Sequence, residues 1–247
     1  MASKVLGGST ESEVKNRKEL VTSLKNSPIP DEELVHNLGL YLNRQTLSRI
    51  LFFHELYLKA LNIHGVIMEF GVRWGQTLSL FSSFRGIYEP YNYLRKIIGF
   101  DSFSGFPSTA QQDGNLINGG DYNVSPNYEE YLSKLLTYHQ NESPISHKTK
   151  FELVKGNAIE TVPKYLADHP ETIIALAYFD FDIYEPTKEV LKAIKPHLTK
   201  GSVIGFDELC MREFPGETIA LKEELGLGNY SIKRIPYNPT TSYLIVE

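Results

Sequence analysis

The sequence predicts an α/β fold built on a mostly parallel sheet of seven strands, with extra helices at the N-terminus. From about residue 66 onward, short apolar runs alternate with helical patterns, which is typical of βαβ units and a parallel sheet. The last two runs flank the turn Pro236-Tyr237-Asn238-Pro239, so an antiparallel hairpin is expected to close the sheet.

The first strand of this sheet is predicted at 66–70, and it leads through Gly71 and Gly75 into a helix over 76–86. A short apolar run with β-branched residues that ends at glycines indicates a buried strand. Glycine lets the backbone turn sharply and lets a ligand approach it closely. Further strands are predicted at 97–100, 151–154, 173–179 and 202–206, hairpin strands at 230–235 and 242–246, and helices at 159–168 and 186–197.

The N-terminal quarter of the chain has a different character. Residues 1–10 are predicted to be disordered, and a helix is predicted over 11–26. A second helical pattern runs from Asp31 to about Asn62, in one helix or in two around Gly39. We therefore expect residues 1–62 to form a helical arm and cap, and residues 63–247 to form the main domain.

Residues 102–150 form a long insertion between the second and third strands, with a helix predicted at 127–139. A connection of this length in a compact domain usually serves as a lid or a binding loop. Its many Tyr, Asn, Asp and Ser side chains suit a polyhydroxylated ligand. The alternatives are an oligomer contact and a disordered loop.

Composition restricts the function classes. The chain has 247 residues, 41% of them hydrophobic, and a formal charge of −5, which favours one substantial core. No dense block of Lys and Arg is present, so nucleic acid is not an expected partner. Cys210 is the only cysteine, which excludes an intramolecular disulfide and a cysteine zinc site. Without a secretory apolar segment or a run of membrane-spanning length, a soluble cytoplasmic protein is expected.

Polar residues end the predicted parallel strands, and open α/β sheets bind their ligands at this edge. Glu69 would repel a pyrophosphate but attract a cationic amine, and S-adenosylmethionine carries both an ammonium and a sulfonium. Asp101 is placed to accept the hydroxyls of a ribose, and Asn157 and Ala158 to contact an adenine edge. The alternative for the first strand is an ordinary strand–turn–helix that binds nothing, because short glycine motifs are common.

A second group of carboxylates follows the fourth and fifth strands, at Asp180, Asp182, Asp207 and Glu208. Carboxylates crowded together raise one another's pKa, and a hard cation such as Mg²⁺ relieves the repulsion. Such a cation would hold two substrate oxygens and help a hydroxyl to lose its proton. The alternative is a solvated acidic rim with no metal.

Other site chemistries lack their motifs. Gln76 stands where the P-loop lysine would be, and no HExxH sequence is present. The spacing from Gly71 to Gly75 does not match the GxGxxG of dinucleotide-binding proteins, and no Tyr/Lys pair of a sugar-nucleotide dehydrogenase stands out. These observations disfavour a nicotinamide-dependent oxidoreductase.

Five segments, taken in order and spacing, resemble the macrocin-type family of S-adenosylmethionine-dependent sugar O-methyltransferases, and within it most closely the calicheamicin-pathway branch that acts on a TDP-activated deoxysugar. The resemblance extends from about Asn62 to the C-terminus and implies a Rossmann-like class I methyltransferase fold. The segments are GVIMEFGVRWGQT from Gly65, GFDSFSGFP from Gly99, KGNAIETVP from Lys155, YFDFDIYEPT from Tyr178 and LTKGSVIGFDE from Leu198.

The resemblance implies that S-adenosylmethionine binds at the strand ends. The residues it assigns to this cofactor are Glu69, Gly71 and Gly75 at the methionine part, Asp101 and Ser102 at the ribose, and Asn157 and Ala158 at the adenine, with Thr77 and Asp180 completing the set.

For the chemistry, the resemblance implies that Asp180 is both the general base and a metal ligand, with Asp207 and Glu208 as the other ligands of Mg²⁺ or another divalent cation. Many family members carry Asp-Asp where this chain has Asp207-Glu208. Phe181 also replaces a small residue between two aspartates.

The expected function is methylation of a hydroxyl of a nucleotide-activated or natural-product sugar, by a homo-oligomer with no membrane or nucleic-acid partner. A metal-dependent catechol or phenol O-methyltransferase is the alternative within the same chemistry. A nicotinamide-dependent sugar-nucleotide oxidoreductase and a non-catalytic binding module are alternatives from other classes.

Overall fold

The computed structural model describes residues 9–247, so most of the stretch predicted to be disordered at 1–10, and the start of the arm predicted over 1–62, lie outside the described part. The chain divides into two compact units, which meet in sequence at Arg49 and Ile50. The functional division predicted at residues 62 and 63 stays a prediction.

The N-terminal unit is helical, and none of its described residues is buried. It contains α1 (Glu11–Lys25), α2 (Asp31–Leu34), a 3₁₀ turn (Val35–Tyr41) and the start of α3 (Arg44–Ala60). At the start of α1, Thr10 and Glu13 each accept a hydrogen bond from the other's backbone N–H, which satisfies two amide groups at the helix end. The helix predicted over 11–26 is therefore confirmed.

The second unit contains the rest of α3, a seven-stranded sheet and five further helices. The strands are β1 (Val66–Phe70), β2 (Ile97–Asp101), β3 (Phe151–Lys155), β4 (Ile174–Phe179), β5 (Leu198–Phe206), β6 (Lys233–Ile235) and β7 (Asn238–Ile245). The helices are α4 (Gln76–Tyr88), α5 (Tyr128–Asn141), α6 (Ala158–Asp168), α7 (Tyr184–Ile194) and α8 (Pro215–Glu224).

The strand order in the sheet is β3-β2-β1-β4-β5-β7-β6. The first five strands pair in parallel, and β7 is antiparallel to both β5 and β6. The predicted parallel sheet with a C-terminal hairpin is thus confirmed. The order reverses between β1 and β4, which makes their carboxyl ends the expected ligand edge.

The bounds of three strands differ from the sequence-based expectation. β5 begins at Leu198 and β7 at Asn238, each four residues before the predicted start, and β6 is only three residues long. No helix is predicted where α8 lies, because its buried face includes Gly216 and Glu217 and gives no apolar periodicity.

Apolar side chains cover both faces of the sheet. One core packs β1, β4 and β5 against α3, α4 and α5, and the other packs the same strands against α6, α7 and α8. In the first core, the rings of Phe53 and Tyr178 meet edge to face with centroids 4.9 Å apart, a geometry that adds to simple burial. Among the described residues, no helix is both long and apolar enough to cross a bilayer.

A buried ion pair joins the N-terminal end of β1 to the ends of two helices. Arg95 donates from Nε to Glu89 Oε2 at 3.0 Å and from Nη1 to the Gly65 carbonyl at 2.7 Å. Tyr57 on α3 donates its hydroxyl to the same Glu89 oxygen at 2.6 Å. Burial alone would raise the pKa of the Glu89 carboxyl, but the hydrogen bonds from Arg95, Tyr57 and Asn92 outweigh it and lower this pKa.

We expect Glu89→Gln to destabilise the second unit by about 3 kcal/mol at neutral pH, because it leaves Arg95 buried without its counter-charge. The lowered pKa means that Glu89 contributes stability above its ordinary pKa of 4.5, and that this contribution is lost as pH falls toward the folded-state pKa. The free energy of unfolding of the variant, measured by urea unfolding between neutral and acid pH, should therefore fall less with decreasing pH than that of the wild type.

Glu55→Gln is the matched control, since the ion pair of Glu55 with Lys59, at 3.7 Å, is partly exposed to solvent. Its effect should stay within about 0.5 kcal/mol. Equal losses in the two variants would contradict the role assigned to Glu89.

Candidate active site

The ends of the five parallel strands form one continuous edge, because backbone pairing continues one residue beyond each strand. Next to the switch point, the Asp180 N–H donates to the Phe70 carbonyl at 2.8 Å and the Asp207 N–H to the Phe179 carbonyl at 3.1 Å. On the other side, Gly71 and Gly156 donate to the carbonyls of Phe100 and Asp101. The predicted strand-end residues therefore lie side by side.

The turn between β1 and α4 depends on a glycine. Gly71 has a φ of +94°, and a Cβ at this position would lie 2.1 Å from the Asp180 carbonyl oxygen. No side chain fits between the two strand ends, so their backbones come into direct contact. Gly75, with a φ of +76°, then starts α4 against the side chain of Leu132.

Asp101 braces this turn with its carboxylate. Its Oδ2 accepts the backbone N–H groups of Val72 and Arg73, each at 2.7 Å, and its Oδ1 accepts the Phe103 N–H at 2.6 Å. A carboxylate offers about four acceptor positions, so these three bonds leave capacity for a ligand hydroxyl. The predicted ribose contact stays a prediction, and the structure gives Asp101 an additional structural role.

Two other predicted cofactor residues also use their polar atoms locally. Ser102 Oγ donates to the Gly105 carbonyl at 2.8 Å, and Asn157 Oδ1 accepts the Ile159 N–H at 3.2 Å as the N-cap of α6. Ala158 and Thr77 are buried at the first turns of α6 and α4. The assignment of these four residues to the cofactor stays a prediction.

Glu69 is 1% exposed on β1, between Gly99 of β2 and Tyr178 of β4. Side chains alternate along a strand, so Glu69 lies on the same face as Ile67, toward α3 and α4. A buried carboxylate near the ligand edge favours a cationic ligand group. The predicted contact with the methionine part of the cofactor is consistent with this position and stays a prediction.

Acidic residues accumulate beyond β4 and β5. Asp182 is 6% exposed and has a φ of +62°. This left-handed backbone conformation interrupts the regular alternation of side-chain directions that β4 follows. Burial, and then the charge of Glu208 and a hydrogen bond with it, raise the pKa of the Asp182 carboxyl well above its ordinary value. Asp182 therefore favours the neutral acid form.

Two further contacts extend this acidic group. Glu217, fully buried on α8, accepts the Glu208 N–H on Oε2 at 3.2 Å, while its Oε1 has no hydrogen-bond partner among residues 9–247. Burial raises the pKa of the Glu217 carboxyl well above its ordinary value. Asp207 Oδ1 accepts the Tyr178 hydroxyl at 2.5 Å. Asp180, in contrast, is only half-buried.

The oxygen donors of this group suit a hard divalent cation. However, over the described part of the chain, no set of three or more His, Cys, Asp or Glu residues is arranged to hold a metal ion. Glu208 interacts with Asp182, and one oxygen of Asp207 is engaged by Tyr178. Asp180, Asp207 and Glu208 are thus close in the fold but do not form a ready-made ligand set.

The insertion 102–150 is folded and packs on the turn between β1 and α4. The rings of Trp74 and Tyr128 meet edge to face at 4.8 Å, and the Tyr128 hydroxyl donates to the Trp74 carbonyl at 3.1 Å. The Arg73 guanidinium lies over the ring of Tyr122 at 4.5 Å. These contacts show an insertion that packs on the turn rather than a disordered loop, and its role as a lid or an interface stays a prediction.

Sequence reasoning gave no role to Arg73 and Glu217, and it placed Asp182 in the acidic group without predicting its burial. A regular strand extension does not reveal the left-handed residue that redirects the Asp182 side chain. Glu217 lies on α8, which was not predicted. Arg73 gives no signal of its own, since its aromatic partner is about fifty residues away in the chain.

We expect Asp101→Asn to weaken binding of S-adenosylhomocysteine at least about tenfold. Its amide group would face a backbone N–H that now has a carboxylate acceptor, and an unmet buried donor costs about 1 to 3 kcal/mol. Isothermal titration calorimetry measures this loss. Asp168→Asn, at an exposed pair with Lys164, is the control, and equal affinities of the two variants would contradict the bracing role.

We expect Gly71→Ala to destabilise the second unit by more than about 2 kcal/mol, from the left-handed φ and the overlap with the Asp180 carbonyl. Denaturant unfolding measures this change. Gly228→Ala is the control because a Cβ at that position meets nothing within 4 Å, and it should change stability by less than about 0.5 kcal/mol. A Gly71→Ala protein as stable as the control would rule out the close approach of the two strand ends.

Comparison with solved structures identifies close relatives. A crystal structure of CalS11, a calicheamicin methyltransferase, is 46% identical to this chain, covers 96% of it and 93% of its own chain, and superposes with a TM-score of 0.93. An apo structure of CalS11, described as a TDP-rhamnose 3′-O-methyltransferase of calicheamicin biosynthesis, is 44% identical over 96% of this chain and 95% of its own, with a TM-score of 0.86. The predicted relationship is confirmed, and with it the methyltransferase fold.

A more distant structure shares the fold alone. The O-methyltransferase NovP is 17% identical over 94% of this chain and 98% of its own, with a TM-score of 0.59. No family model and no curated protein sequence matches this chain.

Proposed function

Because this chain belongs to the macrocin-type family of S-adenosylmethionine-dependent O-methyltransferases, we propose that it methylates a hydroxyl of a nucleotide-activated deoxysugar. The observation that carries the proposal is the relationship to CalS11, which is 46% identical and extends over almost the whole of both chains. The name of CalS11 states activity on TDP-rhamnose, and that substrate class is the one we carry over to this chain.

The acidic strand edge supports a cationic cofactor. S-adenosylmethionine carries a positive sulfonium and a positive ammonium, which carboxylates attract when water is largely excluded. In the proposed pose, Glu69 and the Gly71 turn lie at the methionine part, Asp101 lies at the ribose, and the start of α6 lies at the adenine. The same carboxylates would repel the phosphates of a dinucleotide cofactor.

Asp180 is the proposed general base. The sugar hydroxyl oxygen attacks the cofactor methyl carbon, the bond between that carbon and sulfur breaks, and S-adenosylhomocysteine leaves. The hydroxyl proton passes to the Asp180 carboxylate, so a neutral thioether and a methylated sugar result. Asp180 is favoured over Asp182 because it is more accessible, whereas Asp182 is buried and favours its protonated form. General-base catalysis of this kind usually increases the reaction rate by a factor of about 10² to 10⁴.

The family resemblance adds a divalent cation, Mg²⁺ in the first instance, to the proposal. Asp180, Asp207 and Glu208 are the residues that would hold it, and their oxygens are the ligands that such ions prefer. Their arrangement is not that of a formed site, since no three-ligand group occurs among the described residues.

The test of the function is a methylation assay with S-adenosylmethionine and a panel of TDP-deoxysugars, the corresponding free sugars and a catechol. Mass spectrometry should show one added CH₂ on a TDP-deoxysugar and little on the other acceptors. Faster methylation of the catechol would favour the phenol alternative. Cofactor binding without turnover on any acceptor would favour a binding module, and hydride transfer with a nicotinamide would overturn the assignment.

We expect Asp180→Asn to lower kcat on that sugar by about 10²-fold or more, at saturating S-adenosylmethionine, because the variant has no carboxylate to take the hydroxyl proton. Asp168→Asn is the surface control. Turnover by Asp180→Asn at the wild-type rate would exclude this residue as the base. Adding a chelator, and then Mg²⁺, to the wild-type assay tests the metal separately from the base.

A homo-oligomer in the cytoplasm remains the expected state. Size-exclusion chromatography with light scattering tests the oligomer directly, independently of any substrate.

A further inference from the structure

The insertion contains a buried carboxylate that the mechanism above does not use. Asp113 ends a 3₁₀ turn (Gln111–Asp113) and is only 1% exposed, although the neighbouring positions Gly114 and Asn115 are exposed. Burying a carboxylate without a partner is costly, so its hydrogen bonds show what holds it.

Both oxygens of Asp113 are engaged, and one of them joins the insertion to the main sheet unit. Oδ1 accepts the backbone N–H of Tyr184 at 2.6 Å, and Oδ2 accepts the Ala110 N–H at 2.7 Å. Tyr184 is the first residue of α7, where backbone N–H groups lack partners within the helix and a negative charge is favoured. Asp113 thus supplies the cap that α7 does not receive from Ile183, its own N-cap residue.

Gly216 on α8 also lies against Asp113. A Cβ at position 216 would lie 2.2 Å from Asp113 Oδ1 and 2.6 Å from the Tyr184 nitrogen. The gap between the starts of α7 and α8 therefore accepts the carboxylate only because residue 216 has no side chain. Asp113 thereby attaches the insertion to the starts of α7 and α8, which are remote from it in sequence.

The segment that Asp113 anchors is closed at its base. The Phe106 N–H donates to the Asp121 carbonyl at 3.1 Å, and the Gly120 N–H donates to the Phe106 carbonyl at 2.8 Å. Residues 106–120 therefore leave and rejoin the insertion at one point, as in an Ω-loop. The base follows β2, whereas Asp113 lies at α7, which begins directly after Asp180 and Asp182.

We propose that Asp113 is a positioning residue that holds segment 106–120 as a wall of the acceptor-sugar site, beside Asp180. This inference rests on the proposed function for the identity of the acceptor. Apart from Asp180, the cofactor residues are expected at or just after β1, β2 and β3, while Asp113 contacts elements that follow β4 and β5. Loss of the anchor should therefore impair sugar binding and leave cofactor binding largely intact.

The kinetic test uses the full chain and a TDP-deoxysugar. Asp113→Ala should raise KM for the sugar nucleotide at least tenfold, change kcat much less, and leave the Kd for S-adenosylhomocysteine within about twofold. Asp113→Asn keeps an acceptor for Tyr184 and should recover part of the loss. Gly216→Ala, which leaves Asp113 in place but fills its slot, should reproduce the Asp113→Ala effect.

Asp121→Asn is the matched control, because Asp121 lies in the same insertion and, within residues 9–247, its carboxylate accepts only the nearby Asn118 N–H, at 2.9 Å. Its KM should equal that of the wild type. A KM for Asp113→Ala and Gly216→Ala that matches this control would overturn the proposal, as would an equal loss of cofactor affinity.

Hydrogen exchange with S-adenosylhomocysteine bound and no sugar present tests the anchor without any acceptor. Exchange in 106–120 should be faster in Asp113→Ala and Gly216→Ala than in Asp121→Asn, and unchanged exchange would overturn the anchor. If the wild type methylates no sugar, the proposed function fails, and the exchange result still decides whether Asp113 fixes the segment.

Discussion

The direct backbone contact between the ends of β1 and β4 is the constraint on which the ligand edge depends. At Gly71 there is no room for a side chain, because the Asp180 carbonyl occupies the place where a Cβ would lie. This contact fixes the turn after β1 and the backbone of Asp180 relative to each other through main-chain atoms, which move less than side chains. Asp101 adds to the constraint from the next strand by holding two N–H groups of the same turn.

Charge gives this edge its chemical character. Five carboxylates lie beyond β4 and β5, at Asp180, Asp182, Asp207, Glu208 and Glu217. The fold tolerates them through unequal protonation, since burial and mutual repulsion favour the neutral forms of Asp182 and Glu217. Asp180 is half-buried, so it differs in accessibility from the buried acids Asp182 and Glu217 beside it.

The sheet could be predicted from sequence because its signals are local. Each parallel strand is an apolar run that ends at a polar residue or a glycine, and the strand ends of one sheet must share an edge. The site was less predictable where contacts are remote in sequence. Asp113 reaches Tyr184 and Gly216, and nothing near position 113 indicates either partner. The backbone bonds of Asp101 were likewise hidden, because a carboxylate at that position also suits a ribose.

The absence of any buried residue in the described part of the N-terminal unit has a consequence for how the chain loses its structure. Helix α1 is stabilised by its capping box and its own backbone bonds, whereas the second unit is stabilised by two apolar cores. Elements with little apolar burial open at much lower free energies than core elements. The free energy of opening is therefore expected to be much lower for α1 than for the cores of the second unit. A single melting temperature reports the unfolding of those cores and says little about α1.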